Sequence, residues 1–180
     1  MNTEKHTGPI DIILVTGFLG AGKTTFVNKL LAGNLGEGAG LLVNNFSGVV
    51  VDDSLSEKNE GLEIYQVSGG SLFCNCKTAN FAIGLKSIGK FKPSRIIVEA
   101  SGMSDPSGMD KLLADYRMAA DFQLSRIVCL TDAVRTPKML GTLTALRMQI
   151  EHTWRIKGWT HADKQWWYVS DNAGRIYHRV

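Results

Sequence analysis

No stretch of this chain is both long and apolar enough to cross a bilayer. The first hydrophobic run, Ile10 to Val15, is far shorter than the roughly 20 residues a helical span requires. The polar segment Met1 to Pro9 before it lacks the apolar centre of a secretion signal, so the expected location is the cytoplasm, away from any membrane. Cysteine is scarce, with three in 180 residues, two of them in Cys74-Asn75-Cys76. That excludes a disulfide framework and suits a reducing compartment with thiol or metal chemistry. Positive charge gathers nowhere: the net value is +3, and Lys and Arg are scattered singly rather than clustered on a stripe or in a run, which argues against a nucleic-acid partner. Internal repeats and low-complexity tracts are also absent.

What is present is the composition of a globular α/β protein, with 44% hydrophobic residues, 21% charged residues and 19 glycines. A chain of this length suits one domain. Ile10 to Thr16, Gly40 to Phe46, Glu63 to Val67, Arg95 to Val98 and Arg126 to Leu130 are short apolar or β-prone runs of the kind buried in a sheet. Between them, apolar residues at helical spacing predict helices over Lys23 to Ala32, Lys77 to Lys90, Asp110 to Ala119 and Lys138 to His152. This alternation predicts an α/β fold, a mainly parallel sheet with helices on both faces. Val51 to Glu60 is acidic and polar and reads as a loop. All four tryptophans, Trp154, Trp159, Trp166 and Trp167, follow His152 without a clear period, and Trp166 to Ser170 alone suggests an edge strand. The expected divisions are a polar segment 1–9, a nucleotide-binding domain 10–152 and a Trp-rich tail 153–180.

The chemistry concentrates between the first strand and the first helix. Gly17-Phe18-Leu19-Gly20-Ala21-Gly22-Lys23-Thr24 fits G-x-x-x-x-G-K-[ST], the phosphate-binding loop of P-loop NTPases. Its glycines let backbone N–H groups curl around phosphates at a helix N-terminus. Lys23 is expected to reach the β and γ phosphates, Thr24 to ligate Mg²⁺ and Thr25 to hydrogen-bond the α phosphate. An acid is also needed at the end of a neighbouring strand to hold the magnesium or its water. Glu99, closing Arg-Ile-Ile-Val-Glu, is the candidate, and Gly102 beyond it offers an N–H to the γ phosphate. Asp52 and Asp53 are weaker candidates for the magnesium.

With Gly-Phe-Leu-Gly-Ala-Gly-Lys-Thr-Thr at 17–25, the sequence resembles the CobW/HypB/UreG family of GTP-dependent metallochaperones, nearest its CobW branch. Val43-Asn44-Asn45-Phe46-Ser47 with Asp52 looks like the family's switch segment, usually Asn-Glu-Phe-Gly followed by an Asp. Val98-Glu99-Ala100-Ser101-Gly102-Met103-Ser104-Asp105-Pro106 resembles its Glu-x-x-Gly loop, and Thr131-Asp132-Ala133 its Val-Asp-Ala strand end. The likeness runs from Ile10 to about His152. It departs in two places. Where the family carries Cys-x-Cys-Cys, this chain has Gly69-Gly70-Ser71-Leu72-Phe73-Cys74-Asn75-Cys76, with one thiol fewer. The guanine-reading Asn-Lys-x-Asp is missing where it falls due after His152, so a GTP preference is implied by the resemblance alone and ATP stays open.

The resemblance implies a GTP-binding and GTP-hydrolysing metallochaperone with Mg²⁺ as cofactor, a client metalloprotein as partner, and Zn²⁺ or another transition metal as the ion carried. Cys74 and Cys76 are the candidate thiolate ligands: two thiolates one residue apart can bind one soft ion while other groups complete its shell. Cys129, inside an apolar strand, reads as core. The alternatives are a nucleotide-binding fragment without full activity, or a small-molecule kinase that passes the phosphoryl group to a substrate hydroxyl. The sequence leaves the oligomeric state open.

Overall fold

Apolar residues in consecutive rather than alternate positions make the strands of this protein adhesive on both faces, and the chain stacks helices on each. The computed structural model describes residues 8–45, 62–68, 78–132, 135–152, 155–158, 167–170 and 176–179. Strand β1 (Ile10–Gly17) leads into helix α1 (Lys23–Leu31), followed by β2 (Ala39–Asn45), β3 (Glu63–Ser68), α2 (Thr78–Gly89) and β4 (Arg95–Glu99). Then come α3 (Gly108–Asp115), β5 (Phe122–Thr131), α4 (Thr136–Met139), α5 (Thr144–Glu151) and β6 (Arg155–Gly158). The first six strands form one sheet in the order β3-β2-β4-β1-β5-β6. Every neighbouring pair in it is parallel.

Period two sorts the side chains of each strand. Ile12 and Leu14 of β1, Leu42 of β2 and Ile96 and Val98 of β4 face one way, where Phe81, Leu85 and Ile88 of α2 and Met109, Leu112 and Leu113 of α3 cover them. Ile13, Val15, Leu41, Val43 and Ile97 face the other way, against Phe26, Val27 and Leu31 of α1. Helices on both faces and parallel strands are as the sequence predicts.

Three boundaries differ from expectation, each for a local reason. The helix expected over Asp110 to Ala119 ends at Asp115, because Arg117 takes a left-handed φ of 54° and Met118 N–H returns to Leu113 O at 2.7 Å. That is a Schellman-type C-cap. The single helix expected over Lys138 to His152 is two helices, α4 and α5, since Leu143 is extended (φ −109°, ψ 99°) after the weak helix formers Gly141 and Thr142. Strand β5 starts four residues early, at Phe122, because Ile10 pairs with Phe122 ahead of an irregularity between Ile12 and Ile13.

The segment after His152 contributes β6, whose Arg155 to Gly158 pair with Val128 to Thr131 of β5. It also contributes β7 (Trp167–Ser170), the strand suggested over Trp166 to Ser170, which pairs antiparallel with β8 (Ile176–Arg179) in a separate two-stranded sheet.

Phe81 is the largest fully buried side chain of α2 and belongs to the core cluster that this helix shares with the sheet. Phe81→Ala is expected to cost about 3–5 kcal/mol, from lost transfer energy and a residual cavity. Urea unfolding should show a lower midpoint at unchanged m. A loss below about 1 kcal/mol would mean that α2 is not anchored there.

Candidate functional site

The C-terminal ends of β1, β4 and β5 converge on one edge, the place where open α/β sheets bind ligands. From β1 the chain turns at Gly17 with φ 137°, where any Cβ would collide with the Leu130 carbonyl oxygen, so only glycine lets the loop leave the sheet this close to β5. Ala21 N–H closes a turn onto Phe18 O at 3.2 Å. Gly22, left-handed at φ 85°, caps α1 without a side-chain hydrogen bond, and no acidic residue occupies the helix's first turn. The amides of that turn therefore keep their affinity for an anion.

Lys23 bends back over this loop. Its Nζ donates to Gly17 O at 2.9 Å and Phe18 O at 3.1 Å. An ammonium carries three donors, so one remains for a ligand lying in the curl of Gly17 to Thr24. The side chain is 9% exposed. One residue on, Thr24 Oγ1 donates to Glu99 Oε1 at 2.7 Å, joining the head of α1 to the end of β4. Val15 and Glu99 are register partners in the parallel β1–β4 pair, which is why a residue 75 positions away arrives beside the loop.

A hydroxyl and a buried carboxylate side by side at the mouth of a phosphate loop are hard oxygen donors, the set that Mg²⁺ accepts. The two residues thus fit the cation that the loop implies. Among the described residues no group of three or more His, Cys, Asp or Glu side chains gathers elsewhere as a metal site.

Burial dominates the electrostatics. It pulls the Lys23 ammonium below the usual lysine range, opposed by the charge of Glu99 and then by Cys129. It pushes Glu99 above the usual carboxylate range, opposed by the Thr24 hydrogen bond and then by Lys23. Each charge is under-solvated and each is the other's partial remedy.

Beyond Glu99 the chain stays on β1 for one more bond, Ala100 N–H to Val15 O at 2.9 Å, and then turns through Ser101 to Ser104. Gly102 packs onto the phosphate loop so closely that a Cβ there would lie 2.8 Å from Leu19 N. The structure therefore brings Gly17 to Thr24, Glu99 and Gly102 together; Thr25 follows on α1. Asp52, Asp53, Cys74 and Cys76 lie outside the described residues, and Asn45 is described in its backbone alone.

Two residues at this edge escaped the sequence reading. Gln149 of α5 is fully buried and its Nε2 donates to Gly102 O and Ser104 O, each at 3.1 Å. Its signal was a polar residue three positions after Leu146, on the apolar stripe of a helix. Arg135 places Nη1 3.8 Å from where a Cβ on Gly20 would stand, its backbone N–H bonded to Asp132 Oδ1 at 2.9 Å. Nothing in a lone surface arginine marks that proximity in advance.

The raised pKa of Glu99 has a stability consequence. Between the ordinary carboxylate value and the raised one, the folded protein holds a proton that the unfolded chain has released, so stability falls as pH rises through that window. The lowered Lys23 value acts with the opposite slope, between its lowered value and the ordinary lysine value. Glu99→Gln removes the first titration. The stability of the wild type relative to this variant is expected to decline as pH rises from the acid side through the Glu99 window, measured as denaturation midpoints in nucleotide-free protein. A difference flat across that range would show that Glu99 is not desolvated.

Comparison with known proteins gives this geometry a lineage. The CobW/HypB/UreG nucleotide-binding domain matches residues 11–158, six residues past the expected end of the likeness. The zinc chaperone YjiA of Escherichia coli strain K12 is 27% identical over 155 residues, 82% of this chain and 48% of that protein. The zinc chaperone CobW of a Sinorhizobium species is 31% identical over 107 residues, 56% of this chain and 30% of its own. The crystal structure of Zn(II)-bound YjiA GTPase superposes with a TM-score of 0.58 at 23% identity, over 88% of this chain and 49% of that one. The signal recognition particle 54 kDa protein from Aeropyrum pernix K1, in complex with GDP, gives 0.56 at 19% over 89% of this chain and 37% of that one, a likeness of fold. The chain thus spans half or less of the length of these relatives. It belongs to the CobW/HypB/UreG family, and residues 11–158 are its nucleotide-binding domain.

Proposed function

We propose that this protein is a GTP-binding, GTP-hydrolysing metallochaperone of the CobW type that carries Zn²⁺ to a client metalloprotein in the cytoplasm. The observation that carries the nucleotide half is the 2.7 Å bond from Thr24 to Glu99, which ties the phosphate loop to the acid of the adjacent strand. Lys23, already held by two loop carbonyls, directs its remaining donor at the β and γ oxygens. Backbone amides of Gly20 to Thr24 receive the phosphates, and Thr25 bonds the α phosphate. Thr24 and Glu99 would hold Mg²⁺, which would supply positive charge to the phosphates. Asp52, in the switch-like segment by resemblance, would be a further acid for the magnesium. Water is the nucleophile, and Gly102 offers its N–H to the γ phosphate.

The metal half rests on Cys74 and Cys76, which lie in sequence between the Asn44 to Asp53 segment and the Glu99 to Gly102 loop. Two relatives are named zinc chaperones, and a soft ion suits two thiolates. Nucleotide state, by ordering and releasing those two segments, would set the thiolate geometry and so the handover. With fewer thiols than the family motif the site is open to exchange, as transfer requires.

Magnesium-dependent GTP turnover tests the first half. Lys23→Ala is expected to weaken binding of a non-hydrolysable GTP analogue by at least about 100-fold, or about 2.7 kcal/mol. Unchanged affinity would remove the loop assignment.

Titration against a competing zinc indicator tests the second half. The wild type should take up one Zn²⁺ with an affinity that falls as pH drops and the thiols regain protons. The double change Cys74→Ser and Cys76→Ser should abolish that uptake and leave nucleotide binding intact. Equal uptake by both proteins would refute the thiolate site.

A further inference from the structure

The Ser101 to Ser104 turn is held from inside the protein by a helix that the phosphate chemistry does not use. Gln149 of α5, fully buried, bonds the carbonyls of Gly102 and Ser104 through one amide nitrogen, at 3.1 Å each. Ser101 O accepts Ser104 N–H at 3.1 Å, and the hydroxyls of Ser101 and Ser104 are 2.7 Å apart. The Gly102 and Ser104 carbonyls are therefore turned toward Gln149, and the Ser101 carbonyl toward the Ser104 amide. The peptide bonds of this turn are trans, as no cis bond occurs among the described residues, so each amide N–H points opposite to the carbonyl of its own peptide unit. The Gly102 carbonyl aimed at Gln149 turns the Met103 N–H the other way, and the Ser101 carbonyl aimed at Ser104 does the same for the Gly102 N–H. Among the described residues neither of these amides donates to a backbone carbonyl. Met103 is 53% exposed, and Gly102 rests against Leu19 of the phosphate loop.

We propose that Gln149 is a positioning residue for the terminal phosphate: by pinning the Gly102 and Ser104 carbonyls it presents the Gly102 and Met103 amides to the γ phosphate of a bound triphosphate. This deepens the nucleotide assignment and rests on it. Gln149 touches no reacting atom; it acts through the turn. A diphosphate lacks the group those amides meet, so Gln149 affects triphosphate binding selectively. Its helix is seated independently by Leu146, also fully buried, so the positioning role is separable from the packing of α5.

The test compares magnesium-dependent affinities for GDP and for the β,γ-imido analogue of GTP, with GTP turnover as a second readout. Gln149→Met keeps the length of the side chain and removes the donor. It is expected to retain GDP affinity within about twofold, weaken the triphosphate analogue about 10-fold or more, and lower kcat by a similar factor, the loss typical of a hydrogen bond to a charged group. Gln149→Asn keeps an amide one methylene short of both carbonyls and should show the same selective loss, which covers poor folding of the first variant. Leu146→Ala is the packing control: it should lower thermal stability and leave the ratio of the two affinities unchanged. A ratio and kcat unaltered in both Gln149 variants, or a ratio shifted equally by Leu146→Ala, would overturn the proposal. Wild-type protein that binds neither nucleotide would instead overturn the nucleotide assignment, and this inference with it.

Discussion

Two opposite charges buried at the end of a parallel sheet govern the rest of this structure. Lys23 and Glu99 are each less than a tenth exposed, and for each the loss of solvent outweighs the attraction of its neighbours. A buried pair of this kind is a poor stabiliser by itself, because the mutual attraction does not fully replace lost hydration. The polyphosphate and divalent cation proposed for this site would supply what is missing: anionic oxygens for the ammonium and a positive centre for the carboxylate. Occupancy would then stabilise the fold by mass action, so that the energetic weakness of the bare site and the proposed affinity for a nucleotide would have one cause.

The topology is what allows this pair to form. β1 lies between β4 and β5, so the loop leaving β1 is flanked by the ends of two strands that return to the same edge. Parallel pairing fixes Glu99 opposite Val15, two residues before the loop begins, and Leu130 opposite Gly17. Strands buried on both faces cannot slide by one residue without exchanging the sets packed under α1 and under α2 and α3. The register of the core is therefore also the register of the site.

That linkage explains which features could be read from the sequence. The strand, loop and helix from Ile10 to Leu31 combine a continuous apolar run, a fixed Gly-Lys-Thr spacing and a helical repeat, three local signals that agree. Glu99 was legible because an acid ending an apolar strand has few structural uses. The break between α4 and α5 was not, since apolar residues on both sides of Gly141 keep an approximate helical period and only the extended backbone at Leu143 reveals the interruption. Gln149 was missed for a different reason. Its partners are main-chain carbonyls 45 and 47 residues earlier, and backbone atoms leave no trace in side-chain patterning. Arg135 near Gly20 is likewise a product of the β5 crossover rather than of any local motif.

The Gln149 contacts also bear on how far the turn after Glu99 can move. Each bond to a carbonyl is worth roughly 1 kcal/mol net, so releasing both costs about 2 kcal/mol, more if the amide is left buried without acceptors. Coupling energies between sites commonly fall at 1–3 kcal/mol. The restraint is thus of the size that a terminal phosphate can outweigh or reinforce through two amides, and not so large that the turn is locked.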